Sequence, residues 1–477
     1  MEKKRKKGQL LSSFQHDLLV RSVKLLNVIF MTMAFALCWY TSYSQEMYLA
    51  TFFRRGNWVV VALFFLLYYN FGRTYDAFQI SMNHLPEMVY SQGLAAGLAD
   101  VVMVIVIWLL LRHFPNPVPM ILLLAGQVLI AFAWSILSQK WYFSFFSSKK
   151  TMIIYDMRQG MEDLISDYGL EKKFRIRRTL QVRDLLKKGV QVLDGYDAVF
   201  LCGIHSKHRN IILKYCIANN ISVFVIPRIG DVIMSGAKSV HMLHLPVLRA
   251  ERYRPAPEYT FLKRFMDVLL SGIAIVILSP VMLLVSFMVR RDGGPAFYRQ
   301  VRLTKDGKEF EVLKFRSMRV DAEKDGVARL SSGDNDDRIT PVGRVIRKVR
   351  LDELPQLFNI FKGDMSIVGP RPERPEIAKE YEKELPEFAL RLQAKAGLTG
   401  LAQVYGKYNT TPYDKLMMDL MYIAHPSLIE DLRICFATVK ILFLPESTEG
   451  VAVGATTAMD YENAADSTEN DTETVAK

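Results

Sequence analysis

The chain has 477 residues, half of them hydrophobic, and carries a formal net charge of +12 at neutral pH. This length allows two or three domains, and long apolar runs within a basic chain argue against a uniformly soluble protein. The positive charge suits nucleic acid, anionic lipid or an anionic substrate, and the apolar runs favour the last two. The cysteines are too widely spaced to indicate a zinc site or a disulfide framework: Cys38, Cys202, Cys216 and Cys435.

Residues 1–145 are predicted to form a four-helix transmembrane region. Apolar runs at or near the length of a membrane-spanning helix, about 20 residues, lie at 19–41, 57–72, 94–112 and 118–139. The first run is too long for a signal peptide and no small-residue cleavage site follows it, so we interpret it as a retained helix. Lysine and arginine clusters before the first run and after the fourth predict that both ends are cytoplasmic, although Arg54 and Arg55 oppose this rule.

Residues 146–250 alternate between strand and helix patterns, which is typical of a parallel, Rossmann-like sheet. Buried strands are predicted at 152–155, 198–202 and 221–226. The dinucleotide fingerprint is absent, because the first strand is followed by Asp156-Met157-Arg158-Gln159-Gly160. We therefore expect no bound NAD.

A linker at 251–260 leads into a fifth apolar run at 261–289. Its length alone predicts a single crossing of the membrane. However, cations that favour the cytoplasm flank both ends: Lys263, Arg264, Arg290 and Arg291. Pro280 removes a backbone donor near the middle, and Ser279 could satisfy the carbonyl that this frees. These features favour a re-entrant helix that enters the inner leaflet and returns.

The clearest indication of chemistry is the adjacent pair of carboxylates, Asp352 and Glu353. They follow a run of cations and precede a second arginine-containing segment at 369–373. Carboxylates among arginines suit chemistry on a phosphate ester, with a divalent metal. An isolated pair of this kind would more simply be a solvated helix start. The re-entrant helix and the region that carries these carboxylates together span 261–443. The segment that follows, 444–477, is rich in acidic residues, has few apolar residues and is predicted to be a disordered tail.

From residue 259 to 443 the chain resembles the bacterial sugar transferases, also called monotopic phosphoglycosyl transferases. The matching segments, in order, are Lys263-Arg264-x-x-Asp267, Ser279-Pro280, 296–302, 313–318, 337–344, 351–356, 363–366, 368–373, 396–403 and Asp419-x-x-Tyr422 with Ser427 and Asp431. The upstream layout is similar to the long form of the family. The fold implied is a four-helix transmembrane bundle, a Rossmann-like domain, and a mixed, mainly helical catalytic domain with a re-entrant helix.

This resemblance implies transfer of a sugar-1-phosphate from a UDP-sugar to undecaprenyl phosphate, with release of UMP. The reaction would prime exopolysaccharide, capsule or related glycoconjugate synthesis at the bacterial inner membrane, with the catalytic domain on its cytoplasmic face. Membrane lipids are expected partners and nucleic acid is not. The sugar is left open, as is the oligomeric state, with a homodimer as one option.

The resemblance also assigns residues. Asp352 matches the nucleophile that forms an aspartyl phospho-sugar; with an ordinary pKa of about 3.9 it would be ionised and need no general base. Glu353 matches a ligand of Mg²⁺, with Asp352 as a second one. Arg347 and Arg371 match phosphate-binding arginines, whose guanidinium groups suit this role.

Further candidates are less specific. Lys314 and Arg316 could contact the donor, with ordinary surface charge as the alternative, and Gln403 could contact substrate or serve the fold. Lys263, Arg264 and Asp267 could meet lipid headgroups or fix the re-entrant helix, with snorkelling of the two cations as the alternative. Ser279 and Pro280 are assigned to the kink of that helix.

Two other classes stay open: a membrane-anchored Rossmann enzyme that modifies nucleotide sugars, and an inactive scaffold. The absent glycine fingerprint counts against the first, and the intact Asp352-Glu353 pair counts against the second.

Overall fold

The computed structural model describes residues 2–46, 52–156, 160–242, 244–291, 293–320, 322, 338–406 and 411–442. They form two compact units that divide between Ile226 and Pro227. The predicted acidic tail, 444–477, lies outside the described residues, as does Asp337 of the matching segments.

The first unit begins with four helices that pack against one another: α1 (Glu2–Cys38), α2 (Phe52–Thr74), α3 (Leu85–Leu111) and α4 (Val118–Phe145). Polar side chains join them in the interior. The Tyr68 hydroxyl donates to Asn27 Oδ1 at 2.8 Å, and the Asn27 amide donates to Gln92 Oε1 at 3.0 Å. Such bonds favour one arrangement of helices where lipid provides no hydrophobic driving force between them.

Four helices of the described residues are long and apolar enough to cross a membrane: Gln15–Glu46, Leu85–Leu111, Val118–Phe145 and Pro257–Arg290. The first three correspond to the first, third and fourth predicted spans. The predicted second span is a helix, α2, but it is not among these four, and it contains Arg55, Asn57 and Arg73.

A four-stranded parallel sheet follows, with strand order β2-β1-β3-β4. Its elements are β1 (Lys149–Tyr155), α5 (Met161–Asp167), β2 (Phe174–Gln181), α6 (Val182–Lys188), β3 (Ala198–Cys202), α7 (Ser206–Ala218) and β4 (Ser222–Ile226). The three predicted strands are confirmed as β1, β3 and β4. The prediction missed β2, because arginines interrupt its apolar pattern. Only Phe174 and Leu180 of this strand are buried.

The second unit contains two antiparallel hairpins, one parallel pair of short strands, one long helix and several short helices. Its elements are α8 (Ile229–Ser235), β5 (Lys238–Met242), β6 (Leu245–Arg249), α9 (Pro257–Arg290), β7 (Phe297–Leu303), β8 (Glu309–Phe315), α10 (Pro341–Lys348), α11 (Gln356–Lys362), β9 (Ser366–Val368), α12 (Pro375–Glu384), β10 (Gly397–Thr399), α13 (Leu401–Tyr405), α14 (Pro412–Ala424) and α15 (Leu428–Leu442). Val232 of α8 joins the core of this unit, so the packing boundary at Ile226 differs from the predicted boundary near 250.

The fifth apolar run is one continuous helix, α9, which is 34 residues long and begins inside the predicted linker. The Ser279 hydroxyl donates to the Val276 carbonyl at 2.8 Å. That carbonyl lies four residues before Pro280, so it is the one left without a backbone donor. The predicted role of Ser279 is confirmed, whereas a re-entrant path through a membrane stays a prediction.

Candidate active site

The two adjacent carboxylates lie on a short 3-10 turn, Leu351–Glu353, between α10 and α11. Arg350, just before it, has a left-handed backbone with φ of 58°. For a non-glycine residue this conformation costs roughly 1–2 kcal/mol, which the surrounding packing must offset. The turn therefore holds Asp352 and Glu353 in a conformation that the local sequence alone does not favour.

Apolar neighbours attach this turn to the second half of α9. Leu351 and Leu354, on either side of the carboxylates, pack against a buried cluster. That cluster consists of Met282, Val285, Val289, Phe315 and Ile346. Because three of its members belong to α9, the carboxylates are held beside a helix that is able to enter a membrane.

Glu353 is bound by two cations that are distant in sequence. Lys314 Nζ lies 2.8 Å from Glu353 Oε1, and Arg371 Nη2 lies 3.2 Å from the same oxygen. Although burial opposes ionisation, the charges of Lys314 and Arg371 hold the pKa of Glu353 below its usual range. The structure thus brings together three of the predicted site residues and keeps Glu353 ionised.

Asp352 is the less acidic member of the pair. Burial and the neighbouring charge of Glu353 raise its pKa, while Lys314, Arg347 and Arg350 act in the opposite direction. The structure therefore indicates a pKa of Asp352 above the ordinary aspartate value.

The structure assigns Arg316 a different role from the predicted contact with substrate phosphate. Its buried guanidinium donates to three backbone carbonyls, those of Pro295 at 3.0 Å, Val289 at 2.9 Å and Met318 at 3.3 Å. Val289 belongs to the last turn of α9, where carbonyls have no partner within the helix. Arg316 therefore closes the end of α9, and its contacts do not bring it to the carboxylates.

The predicted cations at the start of α9 fix that helix to the protein. Lys263 Nζ donates to Asp431 Oδ2 of α15 at 2.8 Å. The Arg264 guanidinium donates to the carbonyls of Ile360 and Phe361, in the last turn of α11, at 2.7 and 2.8 Å. Asp267 Oδ1 accepts from the backbone N–H of Ile367 in β9 at 2.9 Å. Of the two predicted roles, the structure supports attachment of the helix for all three.

Close contact between β9 and β10 shapes the segment that carries Arg371. A Cβ atom added to Gly397 would lie 2.1 Å from the nitrogen of Gly369, and one added to Gly400 would lie 2.2 Å from the Gly369 carbonyl oxygen. Only glycine allows this approach. Nearby, Gln403 Nε2 donates to the Leu398 carbonyl at 3.2 Å, while its buried Oε1 has no donor among the described residues. A substrate contact by Gln403 stays a prediction.

The pair of carboxylates fits the predicted magnesium ion by ligand type. In the described part of the chain, no group of three or more His, Cys, Asp or Glu side chains could hold a metal. Mg²⁺, however, is commonly bound through one or two carboxylates together with substrate phosphates. Asp352 and Glu353 could supply that number.

Comparison with known proteins identifies relatives of the second unit. A family model described as bacterial sugar transferase matches residues 258–445. The UDP-N-acetylgalactosamine-undecaprenyl-phosphate N-acetylgalactosaminephosphotransferase of Aeromonas hydrophila is 38% identical over 234 residues, which cover 48% of this chain and 54% of that protein. The undecaprenyl-phosphate galactose phosphotransferase of Salmonella typhimurium is 42% identical over 196 residues, covering 38% and 40%.

A third relative is matched over most of its length. The UDP-glucose:undecaprenyl-phosphate glucose-1-phosphate transferase of Caulobacter vibrioides is 40% identical over 191 residues, covering 39% of this chain and 71% of that protein. The chain belongs to the bacterial sugar transferase family. It spans about half the length of the Aeromonas relative and less of the Salmonella one. The family match begins with α9 and leaves the first unit outside it.

Proposed function

We propose that the chain transfers a sugar-1-phosphate from a UDP-sugar to undecaprenyl phosphate and releases UMP. The observation that carries this proposal is the position of Asp352 and Glu353, next to Lys314 and Arg371 and attached to α9. A water-soluble diphosphate and a lipid phosphate can share a site only if it is cationic and close to the membrane. The names of the Aeromonas and Caulobacter relatives specify such a donor and acceptor.

The reaction takes two displacements at one phosphorus atom. A carboxylate oxygen of Asp352 attacks the β-phosphorus of the UDP-sugar, and the bond from that phosphorus to the oxygen of UMP breaks. The phospho-sugar is then held on Asp352 as an acyl phosphate. An oxygen of undecaprenyl phosphate attacks the same phosphorus and displaces the Asp352 carboxylate. The products are UMP and the lipid-linked diphosphate sugar, and no electrons or protons are left unbalanced when Asp352 starts ionised.

The neighbouring residues place charge where the donor needs it. The Arg371 side chain is 41% exposed, so part of its guanidinium is accessible to a diphosphate, which it can bind through two hydrogen bonds. Arg347 adds positive charge near Asp352. Glu353 and Asp352 would hold Mg²⁺, which supplies neutralisation of the diphosphate and assists the departure of UMP.

The packing of α9 supports a re-entrant path. Asp267, in its first half, binds β9, and Val289, in its last turn, packs beside the turn that carries Asp352. A helix that crossed the bilayer, about 30 Å of hydrocarbon, would put these two positions on opposite sides, yet both contact the same unit. The proposed location is therefore the inner membrane, with Asp352 on the cytoplasmic face. A reporter fused after Arg291 should be cytoplasmic, and a periplasmic reporter would refute this path.

The test of the reaction is UMP release by the purified full chain with undecaprenyl phosphate and Mg²⁺, across a panel of UDP-sugars. The relatives are named for different sugars, so the panel also identifies the donor. Without acceptor, the protein should release at most one UMP per chain and gain the mass of a phospho-sugar on Asp352. Asp352→Asn should abolish both results.

A matched control is Arg249→Gln, because Arg249 is an exposed cation that pairs with Glu251 and lies outside the residues matched by the family model. This variant should keep wild-type turnover. Undiminished UMP release in Asp352→Asn would contradict the mechanism. No release with any donor would favour the inactive scaffold instead.

A further inference from the structure

The loop that carries Arg371 is held through its own backbone. Four consecutive carbonyls of this loop each accept a hydrogen bond from outside it. The pairs are Pro370 with the N–H of Gly397 at 2.9 Å, Arg371 with Arg391 Nη2 at 2.9 Å, Pro372 with Arg302 Nη1 at 3.2 Å, and Glu373 with the N–H of Leu303 at 3.0 Å. Two of these donors are arginine side chains, whereas loop carbonyls at a surface are ordinarily solvated.

Arg391 makes its contact from a buried position. Its side chain is 3% exposed and that of Asp419 is 2% exposed. Arg391 Nε and Nη2 lie 2.8 and 2.7 Å from Asp419 Oδ2, and Nη1 lies 3.8 Å from Glu373 Oε1. The same Nη2 donates to the Arg371 carbonyl. Asp419 therefore fixes the orientation in which Arg391 reaches the loop.

Arg302 holds the other side of the loop. Its Nε donates to Gln300 Oε1 at 3.0 Å, and its Nη1 lies 3.8 Å from Glu373 Oε2. Glu373 thus lies between two arginines. Although burial opposes ionisation, the charges of Lys415, Arg391 and Arg302 hold the pKa of Glu373 below its usual range. Arg391 and Arg302 therefore each contact both a carbonyl of the loop and a carboxylate.

We propose that Arg391, oriented by Asp419, is a positioning residue for Arg371. It holds the Arg371 carbonyl so that the guanidinium of Arg371 stays next to Glu353 and available to the donor diphosphate. This assignment rests on the proposed function, because it gives Arg371 a part in the transfer. If the contact between Arg391 and the loop is lost, Arg371 remains in the sequence but contributes less to the rate.

The test is a double-mutant cycle on the full chain, with kcat and KM measured from UMP release. Arg391→Lys keeps the positive charge, but an ammonium group cannot reproduce the planar geometry that serves Asp419 and the loop together. Arg371→Gln should lower kcat on the order of 100-fold in the wild-type background. In the Arg391→Lys background the same change should lower kcat roughly 10-fold or less, because the two residues are coupled.

Leu416→Ala is the control for destabilisation without loss of the contact. Leu416 is fully buried on α14, the helix that carries Asp419. It belongs to the apolar core of the second unit that also contains Val232. In this background Arg371→Gln should still lower kcat on the order of 100-fold. The proposal is overturned if the factor stays at 100-fold in Arg391→Lys, or if it shrinks equally in Leu416→Ala. Asp419→Asn, which keeps the side-chain shape, provides a second variant should Arg391→Lys fail to fold, and it should reduce the factor too.

Hydrogen exchange separates this inference from the proposed reaction. Peptides that cover 369–374 should exchange faster in Arg391→Lys than in the wild type or in Leu416→Ala, without any substrate. Unchanged exchange overturns the contact as a positioning device. Absence of UMP release from the wild type overturns the proposed reaction, while faster exchange in that case still supports the hold of Arg391 on the loop.

Discussion

Removal of the charge on Lys314 should destabilise the second unit through Glu353. Lys314 Nζ lies 2.8 Å from Glu353 Oε1, and the two side chains are 21% and 13% exposed. Lys314→Met keeps most of the length of the side chain and deletes its charge. The remaining cation at Glu353, Arg371, is farther away and more exposed. Glu353 would therefore stay largely buried, with Arg371 as the one remaining cation of the two that contact its carboxylate in the wild type.

The expected magnitude follows from the distance. Two unit charges 2.8 Å apart attract by roughly 6 kcal/mol at an effective dielectric constant of about 20. Desolvation of Lys314 in the wild type offsets part of this attraction, so the net effect should resemble that of breaking a buried pair, about 3 kcal/mol. The same loss should raise the pKa of Glu353, because the nearest positive charge is removed.

The assay is pulse proteolysis of the second unit in urea, with the full chain in detergent. Lys362→Met is the matched control, because Lys362 pairs with Asp364 at 3.2 Å but is 75% exposed. It should lower the unfolding free energy by less than about 1 kcal/mol. Equal losses in the two variants would show that burial of the Lys314–Glu353 pair does not matter and would refute the reasoning.

The pH dependence gives a second check on the same variant. The pKa of Glu353 is depressed in the folded wild type, so its stabilising contribution is present above the unfolded pKa of about 4.3. It is lost as the pH falls toward the folded value. The unfolded-state titration of Glu353 cancels between the two proteins, so their difference in unfolding free energy should be largest near neutral pH. It should narrow as the pH falls through the raised pKa of Glu353 in folded Lys314→Met toward the lower pKa in the folded wild type. A constant difference would contradict the assignment to Glu353.

Three further predictions concern the site. Because burial and Glu353 raise the pKa of Asp352, kcat should fall with acid below a pKa higher than that of an ordinary aspartate, and Glu353→Gln should move this limb to lower pH if activity remains measurable. Arg316→Gln should lower the melting temperature and change the donor KM less than about threefold, since its guanidinium binds carbonyls; a large change in KM alone would restore the substrate role. Gly397→Ala should reduce both stability and kcat, because the added Cβ meets the Gly369 nitrogen at 2.1 Å; wild-type values for both would contradict the close approach.

The sequence was sufficient where burial follows an apolar pattern. Strand β3 is an uninterrupted apolar run and helix α9 is mainly apolar over most of its length, and both were predicted near their observed bounds. Strand β2 was missed because Arg175, Arg177 and Arg178 occupy exposed positions in it. A strand at the edge of a sheet needs few buried side chains, so its pattern is weak.

The contacts that individual side chains make were harder to predict than the positions of helices and strands. Lys314 and Arg316 are two residues apart and chemically alike, yet one binds Glu353 and the other binds carbonyls at the end of α9. Arg391 was not singled out at all. Its contact with the Arg371 carbonyl depends on tertiary packing across 20 residues, and no spacing rule indicates it. The sequence pointed to this region only through Asp419, which belongs to a segment matching the family but was given no function.

Several arginine and lysine side chains of the second unit donate hydrogen bonds to backbone carbonyl oxygens. Arg264, Arg316 and Lys395 serve the ends of α9 and α11, and Arg391 and Arg302 serve the Arg371 loop. The isoelectric point of about 9.3 therefore overstates the basicity that a lipid or nucleotide meets at the surface. A variant of lower net charge, made to improve purification, should replace exposed cations such as Lys305 and Lys308. Neutralising the internal cations would remove hydrogen bonds that hold the fold and would change the surface potential little.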